Sequence, residues 1–264
     1  MSRPVILYVP GAWHSPDAFD KVIALLSAKR FPSRKIHLPS VDRSPAVSSI
    51  EPDVEAIRSV ALSEMQQGHD ICVVCHSYSG VPTSQALRGL GRPQTAGGGR
   101  VSAIIYIAAC LLFEGVSLSG ANTAHGGAVQ SDAYKLPDDG NLLLNKDVNT
   151  AHGFYNDLSL EEAAYWVSKL GTHSAVTLDL PANYAAWKDI PSWYLLCMQD
   201  KTIMPETQRA FVKKAREYLD EAGGPGTGAH RLRMEEIDAG HSPFLSRPER
   251  TAAFIEKAAT SDLN

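Results

Sequence analysis

Three polar residues, each just beyond a short apolar run, could together perform nucleophilic catalysis. They are Ser77, Asp200 and His241. A serine hydroxyl attacks a carbonyl only when a base takes its proton, and imidazole is a base with a pKa near neutrality. A carboxylate beside the imidazole fixes its tautomer and stabilises the imidazolium that forms. The chain order serine, acid, histidine is one that such triads use. We therefore predict Ser77 as nucleophile, His241 as general base and Asp200 as the acid that orients the histidine.

The serine stands in the segment Cys75–Ser79, between a strand pattern and a helical one. A nucleophilic serine occupies a strained strand-to-helix turn, and the residues two before and two after it are small so that strand and helix can approach closely. Cys75 and Ser79 are small, although neither is the glycine that is common there. The alternative for Ser77 is a serine that only caps the following helix.

Other residues compete for the roles of acid and base. Asp238 lies too close to His241 along the chain to reach around its ring. Glu114, just beyond the strand that follows Ser77, stays open as a second candidate for the acid. The remaining histidines, including His14, lack the combination of a strand end and a late position in the chain.

A glycine turn after the first apolar run, Gly11–Trp13, could complete the site. Acyl transfer passes through an oxyanion, which backbone N–H groups stabilise. One N–H normally belongs to the residue after the nucleophile and another to a loop after an early strand. We predict the N–H groups of Tyr78 and Ala12 as these donors. The alternative is a simple turn in which Gly11 supplies a positive φ.

Short β-branched runs alternate with helical patterns along most of the chain, and they predict the elements that position these residues. Such apolar strands are typical of a parallel sheet covered by helices on both faces, which binds ligands beyond the carboxyl ends of its strands. We therefore expect a doubly wound α/β fold. The predicted strands are Val5–Val9, Lys35–Leu38, Asp70–Cys75, Val101–Ala108, Ser192–Cys197 and Arg233–Ile237. The predicted helices between them are Pro16–Lys29, Val54–Gln67, Val81–Leu90, Pro205–Asp220 and Pro248–Ala259.

One connection, residues 111–190, is far longer than the others and breaks the alternation. It carries helical patterns at Ser159–Leu170 and Pro181–Asp189, and its first part, Gly115–Asn145, is rich in glycine and serine and is expected to be mobile. An insertion at the carboxyl edge of the sheet is typical of a cap over an active site. We predict a core of residues 1–110 and 191–264 and a cap of residues 111–190.

Aromatic residues of the cap and of the loop after Gly11 are candidates for the walls of a substrate pocket, since such pockets are mostly apolar. Trp13 directly follows the oxyanion loop, and Tyr155 lies in the cap. We predict that at least one of these two faces the substrate. Trp166 lies inside a helical pattern and is expected to pack the core of the cap itself.

The composition disfavours several other classes of function. The net charge is −4, with acidic and basic residues scattered along the chain, so no field would concentrate nucleic acid or an anionic membrane. No run is long enough to span a bilayer, and the N-terminus lacks a signal-peptide pattern. This predicts a cytoplasmic protein with a small-molecule substrate. No residues have metal-ligand spacing, and no metal or other cofactor is expected. The oligomeric state stays open, with a homodimer among the alternatives.

The four cysteines all lie within or at the end of apolar runs, where free cysteine behaves as a small hydrophobic residue. Cys72 and Cys75 form a C-x-x-C motif. Because they are three residues apart on a predicted strand, their side chains point to opposite faces of the sheet. We therefore expect neither a disulfide nor a zinc site there.

Together these motifs resemble those of the α/β-hydrolase superfamily, in particular the branch of plant methyl esterases and hydroxynitrile lyases with related bacterial and fungal esterases. The resemblance spans nearly the whole chain and implies the α/β-hydrolase fold and a serine hydrolase activity. The matching segments are Asp200–Glu206 around the triad acid, Ala239–His241 in the histidine loop, Gly11–Ala12 in the oxyanion loop and Phe154–Asp157 in the cap.

Some positions depart from the pattern of this family. Pro10 stands where a histidine usually precedes the oxyanion glycine. Hydroxynitrile lyases of this branch typically have a threonine in place of Gly11 and a lysine in place of Ser242, so the sequence disfavours cyanohydrin cleavage. The cap matches poorly, and because the cap shapes the substrate pockets, substrate identity does not transfer.

The leading hypothesis is hydrolysis of a carboxylic ester, lactone or thioester of a small apolar substrate through an acyl-enzyme on Ser77. A second hypothesis uses the same triad without hydrolysis, as a lyase or as a cyclase of polyketide-like substrates. A third is a receptor that holds a small ligand on an intact hydrolase fold.

Overall fold

The computed structural model describes residues 3–124 and 134–261. Part of the segment predicted to be mobile, Gly115–Asn145, therefore lies outside the described residues. The strands are β1 Val5–Val9, β2 Ser33–Lys35, β3 Ile71–His76, β4 Val101–Ile107, β5 Tyr134–Lys135, β6 Asn141–Leu144, β7 His173–Ser174, β8 Ser192–Cys197 and β9 Leu232–Ile237.

The helices in the described ranges are α1 Asp20–Ala28, α2 Glu51–Gln66, α3 Gly80–Ala86, α4 Leu118–Ala124, α5 Val148–Tyr155, α6 Leu160–Ser168, α7 Val176–Asp179, α8 Pro205–Gly223, α9 Thr227–Arg231, α10 Pro243–Ser246 and α11 Pro248–Thr260. Short 3₁₀ turns occur at Pro16–Phe19, Ser77–Ser79 and Ala186–Lys188. None of these helices is long and apolar enough to span a bilayer.

The main sheet has the strand order β2-β1-β3-β4-β8-β9, and all its neighbouring strands pair in parallel. Its central strands are buried on both faces. Leu7 and Val73 belong to one hydrophobic cluster, which α2 and α8 cover, whereas Ile6 and Cys72 belong to a second cluster, which α1 and α11 cover. Successive side chains of a strand point to opposite faces, and here both faces are buried. Each central strand is therefore an uninterrupted apolar run in the sequence. The predicted doubly wound α/β architecture is confirmed.

The second strand and one segment of the cap differ from the prediction. The second strand, predicted at Lys35–Leu38, is Ser33–Lys35 and pairs with Ile6–Tyr8 at the edge of the sheet. Ile36 and Leu38 are buried just beyond this strand, and the Ile36 N–H still donates to the Tyr8 carbonyl at 3.0 Å, so only Leu38 owes its apolar character to packing alone. Pro181–Asp189 forms only the 3₁₀ turn Ala186–Lys188, because Trp187 is buried there against the core from an irregular segment.

The predicted cap, residues 111–190, contains its own small antiparallel sheet, β5-β6-β7, which the sequence analysis did not foresee. Its strands are two to four residues long. They are too short for alternation to be visible in the sequence. Because the main sheet is parallel, the loops after β1, β3, β4, β8 and β9 meet at one edge, and the predicted site residues lie in these loops.

Candidate active site

Ser77 lies at the strand-to-helix turn after β3 with φ of +56°, in the left-handed region that favours glycine. A non-glycine residue held there costs about 1–3 kcal/mol, so the surrounding contacts must enforce it. The N–H of Cys110 donates to the Ser77 carbonyl at 3.0 Å. At Gly80, a Cβ atom would lie 2.2 Å from the Cys110 carbonyl oxygen, so only glycine allows this close approach.

Ser79 replaces the glycine common at this position, and its hydroxyl takes part in the turn. Ser79 Oγ accepts a hydrogen bond from the His76 N–H at 2.9 Å and lies within donating distance of the Val9 carbonyl, at 3.0 Å. The hydroxyl therefore links the ends of β1 and β3 beside the nucleophile. This explains in physical terms how the departure from glycine is tolerated.

Asp200 and His241 meet in the interior at the ends of β8 and β9. His241 Nδ1 lies 2.8 Å from Asp200 Oδ2, and both side chains are completely buried. The carboxylate accepts three further hydrogen bonds. They come from the N–H groups of Thr202 and Ile203 at 2.7 and 3.0 Å and from Gln208 Nε2 at 2.8 Å. These donors satisfy a buried carboxylate and orient it toward the imidazole.

Gln208 is a site residue that the sequence analysis missed. Besides its bond to Asp200, its Nε2 donates to the Ile203 carbonyl at 2.6 Å, and its Oε1 accepts from the Cys197 N–H at 3.1 Å. The side chain is thus fixed at both ends, and it fixes the acid. One sequence feature could have identified Gln208. It is a polar residue on the buried face of α8, the helix that follows the Asp200 loop directly.

His76 connects the nucleophile turn to the histidine loop and was also missed. Its Nε2 lies 2.9 Å from the backbone carbonyl of His241. Since a carbonyl only accepts, this nitrogen carries the proton and donates. The two imidazole rings lie 4.5 Å apart. Within the described residues, His241 Nε2 has no hydrogen-bond partner, so the structure shows the acid–histidine bond but no hydrogen bond between Ser77 Oγ and this nitrogen.

The oxyanion loop is a tight turn closed by the His14 N–H, which donates to the Gly11 carbonyl at 3.2 Å. The positive φ in this turn belongs to Trp13, at +63°, and not to Gly11. The explanation of Gly11 by a positive φ is therefore wrong. Glycine is required there because a Cβ atom would lie 2.9 Å from His76 Nδ1 and 3.0 Å from Ser77 Cβ. Gly11 brings the loop against the nucleophile turn.

Residues of the predicted cap contact each of these loops. The Phe154 ring lies 5.7 Å from that of His241 and 6.2 Å from that of Trp13. A Cβ atom on Gly240 would lie 2.4 Å from Asn156 Oδ1 and 2.7 Å from Asp157 Oδ1. The cap segment Phe154–Asp157 and the histidine loop, both recognised from the sequence, are therefore packed against each other.

The two predicted pocket residues lie in different surroundings. Trp13 is partly exposed, and its Nε1 donates to the Leu142 carbonyl in the cap at 3.1 Å. Tyr155 is buried, and its hydroxyl lies 2.8 Å from Nε2 of His14. His14, set aside in the sequence analysis because it lies early in the chain, is therefore a neighbour of the site.

The competing acids lie elsewhere. Glu114 is exposed and forms an ion pair with Lys188, whose ammonium group lies over the ring of Tyr218. Asp238 accepts a hydrogen bond from Gln199. Among the described residues, Asp200 is the acid that contacts the His241 ring. The described residues also contain no group of three or more histidine, cysteine or acidic side chains placed to hold a metal ion.

Comparison with known proteins identifies the family and the fold. The model of the alpha/beta hydrolase family matches residues 6–254, so the chain belongs to this family, and the predicted fold and family are confirmed. The chain is 31% identical to the alpha/beta hydrolase nvfD of Aspergillus novofumigatus, over 98% of both chains. It is an enzyme of the hydrolase class.

Two solved structures share the fold. The pyrethroid hydrolase of Sphingobium faniae JZ-2 is 21% identical, with a TM-score of 0.72 over 98% of each chain. The methylesterase MES16 from Arabidopsis is 21% identical, with a TM-score of 0.69 over 97% of this chain and 99% of its own. The plant methylesterase branch suggested by the sequence motifs is thus among the structural neighbours.

Proposed function

We propose that this enzyme hydrolyses a carboxylic ester, lactone or thioester of a small apolar substrate through an acyl-enzyme on Ser77. The observation that carries the proposal is the buried Asp200–His241 pair, at 2.8 Å, together with a serine held at a φ of +56° directly after His76, whose ring lies 4.5 Å from that of His241. The esterase character of a structural neighbour, the methylesterase, supports an ester as the bond that is cleaved.

The hydrogen bonds around His241 support its role as the base. Asp200 accepts from Nδ1, so the neutral imidazole carries its proton there and presents the Nε2 lone pair. Nε2 takes the proton of Ser77 Oγ as the oxygen bonds to the substrate carbonyl carbon. The imidazolium then gives this proton to the leaving alcohol or thiol as the bond to the acyl carbon breaks.

Water completes the cycle. It attacks the acyl-enzyme carbonyl and gives a proton to His241 Nε2, which returns it to Ser77 Oγ as the acid product leaves. The backbone N–H groups of Ala12 and Tyr78 are the proposed donors to the oxyanion in both halves. Tyr78 is the second residue of the 3₁₀ turn Ser77–Ser79, at a helix start where N–H groups lack partners within the helix. The mechanism uses no cofactor.

The surroundings of the base support an uncharged, apolar substrate. The Phe154 ring lies 5.7 Å from that of His241, and the Trp13 ring lies 6.2 Å from that of Phe154. The imidazoles of His14 and His76 are buried, and burial lowers their pKa values, that of His14 to about 4, so they are neutral at pH 7. Trp13, which is partly exposed, is our candidate for a pocket wall. Tyr155 is buried and is not our candidate for the pocket wall.

The test is a panel of acyl esters, lactones and thioesters with the wild type and Ser77→Ala, together with labelling by a fluorophosphonate. Hydrolysis should place one oxygen from ¹⁸O-labelled water in the acid product and should vanish with the serine. Turnover without label incorporation would indicate the lyase or cyclase instead. A wild type that neither reacts with the phosphonate nor turns over any substrate would favour the receptor.

A further inference from the structure

We propose that Tyr155 and His14 form a positioning pair through which the cap holds the oxyanion loop in its catalytic conformation. This proposal rests on the proposed function, because the loop in question carries Ala12, the proposed oxyanion donor. Neither side chain is assigned contact with the reacting atoms. Their role is to fix the backbone that makes this contact.

The hydrogen bonds of His14 allow one proton arrangement when the ring is neutral. Its Nδ1 lies 2.7 Å from the Ala12 carbonyl, which only accepts, so Nδ1 carries the proton. Nε2 is then an acceptor, and the Tyr155 hydroxyl at 2.8 Å is its donor. The phenol, the imidazole and the loop carbonyl thus form a directed chain from the cap to the oxyanion loop.

Burial makes this arrangement persistent. His14 is 4% exposed and Tyr155 is 1% exposed, so water does not replace either bond. Burial also lowers the pKa of His14 to about 4, which keeps the ring neutral and its Nε2 unprotonated at pH 7. Removal of the phenol hydroxyl would leave a buried acceptor without a donor, which is costly.

The loop needs such support because it is strained. Trp13 has φ of +63°, a conformation that persists only where the surroundings enforce it. The cap holds two successive carbonyls of this turn. The Ala12 carbonyl is held through His14 and Tyr155, and the Trp13 carbonyl accepts from the Gly171 N–H at 2.8 Å. The peptide planes beside the proposed donor are therefore set by contacts from the cap.

The experiment measures kcat and KM for p-nitrophenyl acetate and the inhibition constant of trifluoroacetophenone, whose adduct with the serine places an oxyanion in the hole. For Tyr155→Phe we expect kcat to fall about tenfold, KM to stay within about twofold, and the inhibition constant to rise in parallel with the loss in kcat. His14→Asn keeps a donor for the Ala12 carbonyl but is too short to reach Tyr155, and it should show the same changes. Since both act through one bond, the double variant should lose no more than either single variant.

The matched control is Tyr106→Phe, which removes another buried phenol hydroxyl, one that lies 2.9 Å from Ser84 Oγ. It should lower the melting temperature to a similar extent but leave kcat and the inhibition constant unchanged. If Tyr155→Phe and His14→Asn behave like this control, the pair only packs the cap and the proposal is overturned. Fluorophosphonate labelling that is lost in Ser77→Ala keeps the proposed function intact in that case. Labelling and turnover that persist in Ser77→Ala would instead overturn the proposed function.

Discussion

The main sheet and the cap hold their site residues by different interactions. The central strands of the sheet are buried on both faces, so Ser77 and Asp200 follow close-packed apolar strands, while His241 follows the edge strand β9. The cap has short strands and leaves large apolar side chains in water, with Val148 75% and Leu160 90% exposed. It meets the core through buried apolar side chains, such as Phe154 and Trp187, and through hydrogen bonds, such as those of Trp13 Nε1 to Leu142 and Asn156 Nδ2 to Gln199.

This contrast indicates that the two regions have different roles in the enzyme. Apolar burial in the sheet scales with area and fixes the backbone to which the triad is attached. The polar contacts of the predicted cap are directional, so single substitutions there should shift selectivity or loop geometry without abolishing the chemistry. Substitutions in the triad should abolish it while leaving the cap in place.

The largest effect is expected for Ser77→Ala. Loss of the nucleophile should lower kcat by about 10³-fold or more, because nucleophile and base act as one unit. Thermal stability should be unchanged or raised, since alanine removes no buried bond that the fold requires. Steady-state kinetics on the best ester of the panel and a melting curve test this, and wild-type turnover in the variant would exclude Ser77 as the nucleophile.

The next effect is expected at the acid. Asp200→Asn should cost about 10²–10⁴ in kcat, because an amide presents the wrong hydrogen-bond partner to the imidazole and favours the wrong tautomer. The matched control is Glu114→Gln, at the acid whose exposed carboxylate pairs with Lys188. It should retain kcat within about twofold. A severe loss at Glu114 with a mild one at Asp200 would reverse the assignment.

Most of the sheet could be predicted because it leaves a local signal, and the same kind of signal led to the proposed triad, which stays a prediction. A strand buried on both faces reads as a continuous apolar run, and a polar residue at its carboxyl end stands out against it. Ser77 and Asp200 are of this kind, whereas His241 follows the edge strand β9, which is only partly buried, and was predicted from its place late in the chain after the last strand. The second strand was placed wrongly because an edge strand with one exposed face carries little apolar signal, while the loop after it is buried.

The contacts between cap and core leave no such signal. His14 and Tyr155 are 141 positions apart, and Trp13 and Leu142 are 129 apart, so nothing in the sequence near either residue indicates its partner. A backbone carbonyl such as that of Leu142 accepts a bond whatever its side chain. The helix predicted at Pro181–Asp189 was wrong for a related reason. An irregular segment that buries Trp187 can show the same spacing of apolar residues as a helix.

A smaller effect is expected from the wall of the pocket. Trp13→Ala should change the preference between short and long acyl esters by about 1–3 kcal/mol in kcat/KM, since the ring lies beside that of Phe154, which in turn contacts the ring of the proposed base. Trp166→Ala, a change within the cap, is the control and should lower the melting temperature while keeping the preference. If Trp13→Ala melts early and keeps the wild-type preference, Trp13 packs the cap and does not select substrate.

The smallest effect concerns the decrease in the free energy of unfolding at acid pH. Buried histidines of the core and of the predicted cap should both contribute to it. Burial lowers the pKa of His14 to about 4 and that of His173, in the cap, to about 3, and it places the pKa of His76 well below its usual value. Unfolded histidine has a pKa of about 6.5. Below that pH the unfolded chain therefore binds more protons than the folded one, and stability falls as the pH drops from about 6.5 toward 4. Each histidine should contribute about 1.4 kcal/mol per pH unit.

His173→Gln should remove one of these contributions, reducing the pH slope of the free energy of unfolding near pH 5 by about 1.4 kcal/mol per unit. Urea unfolding between pH 7 and 5 measures the slope, so a uniform loss of stability does not affect the result. His37→Gln, at an exposed position, is the control and should keep the wild-type slope. The centres of the His173 and Tyr78 rings lie 4.7 Å apart, so this histidine packs against the core. If cap and core unfold together, His173 should take up its proton in the main unfolding transition. A wild-type slope in His173→Gln would mean that this histidine is protonated without unfolding, and the cap would then open on its own in acid.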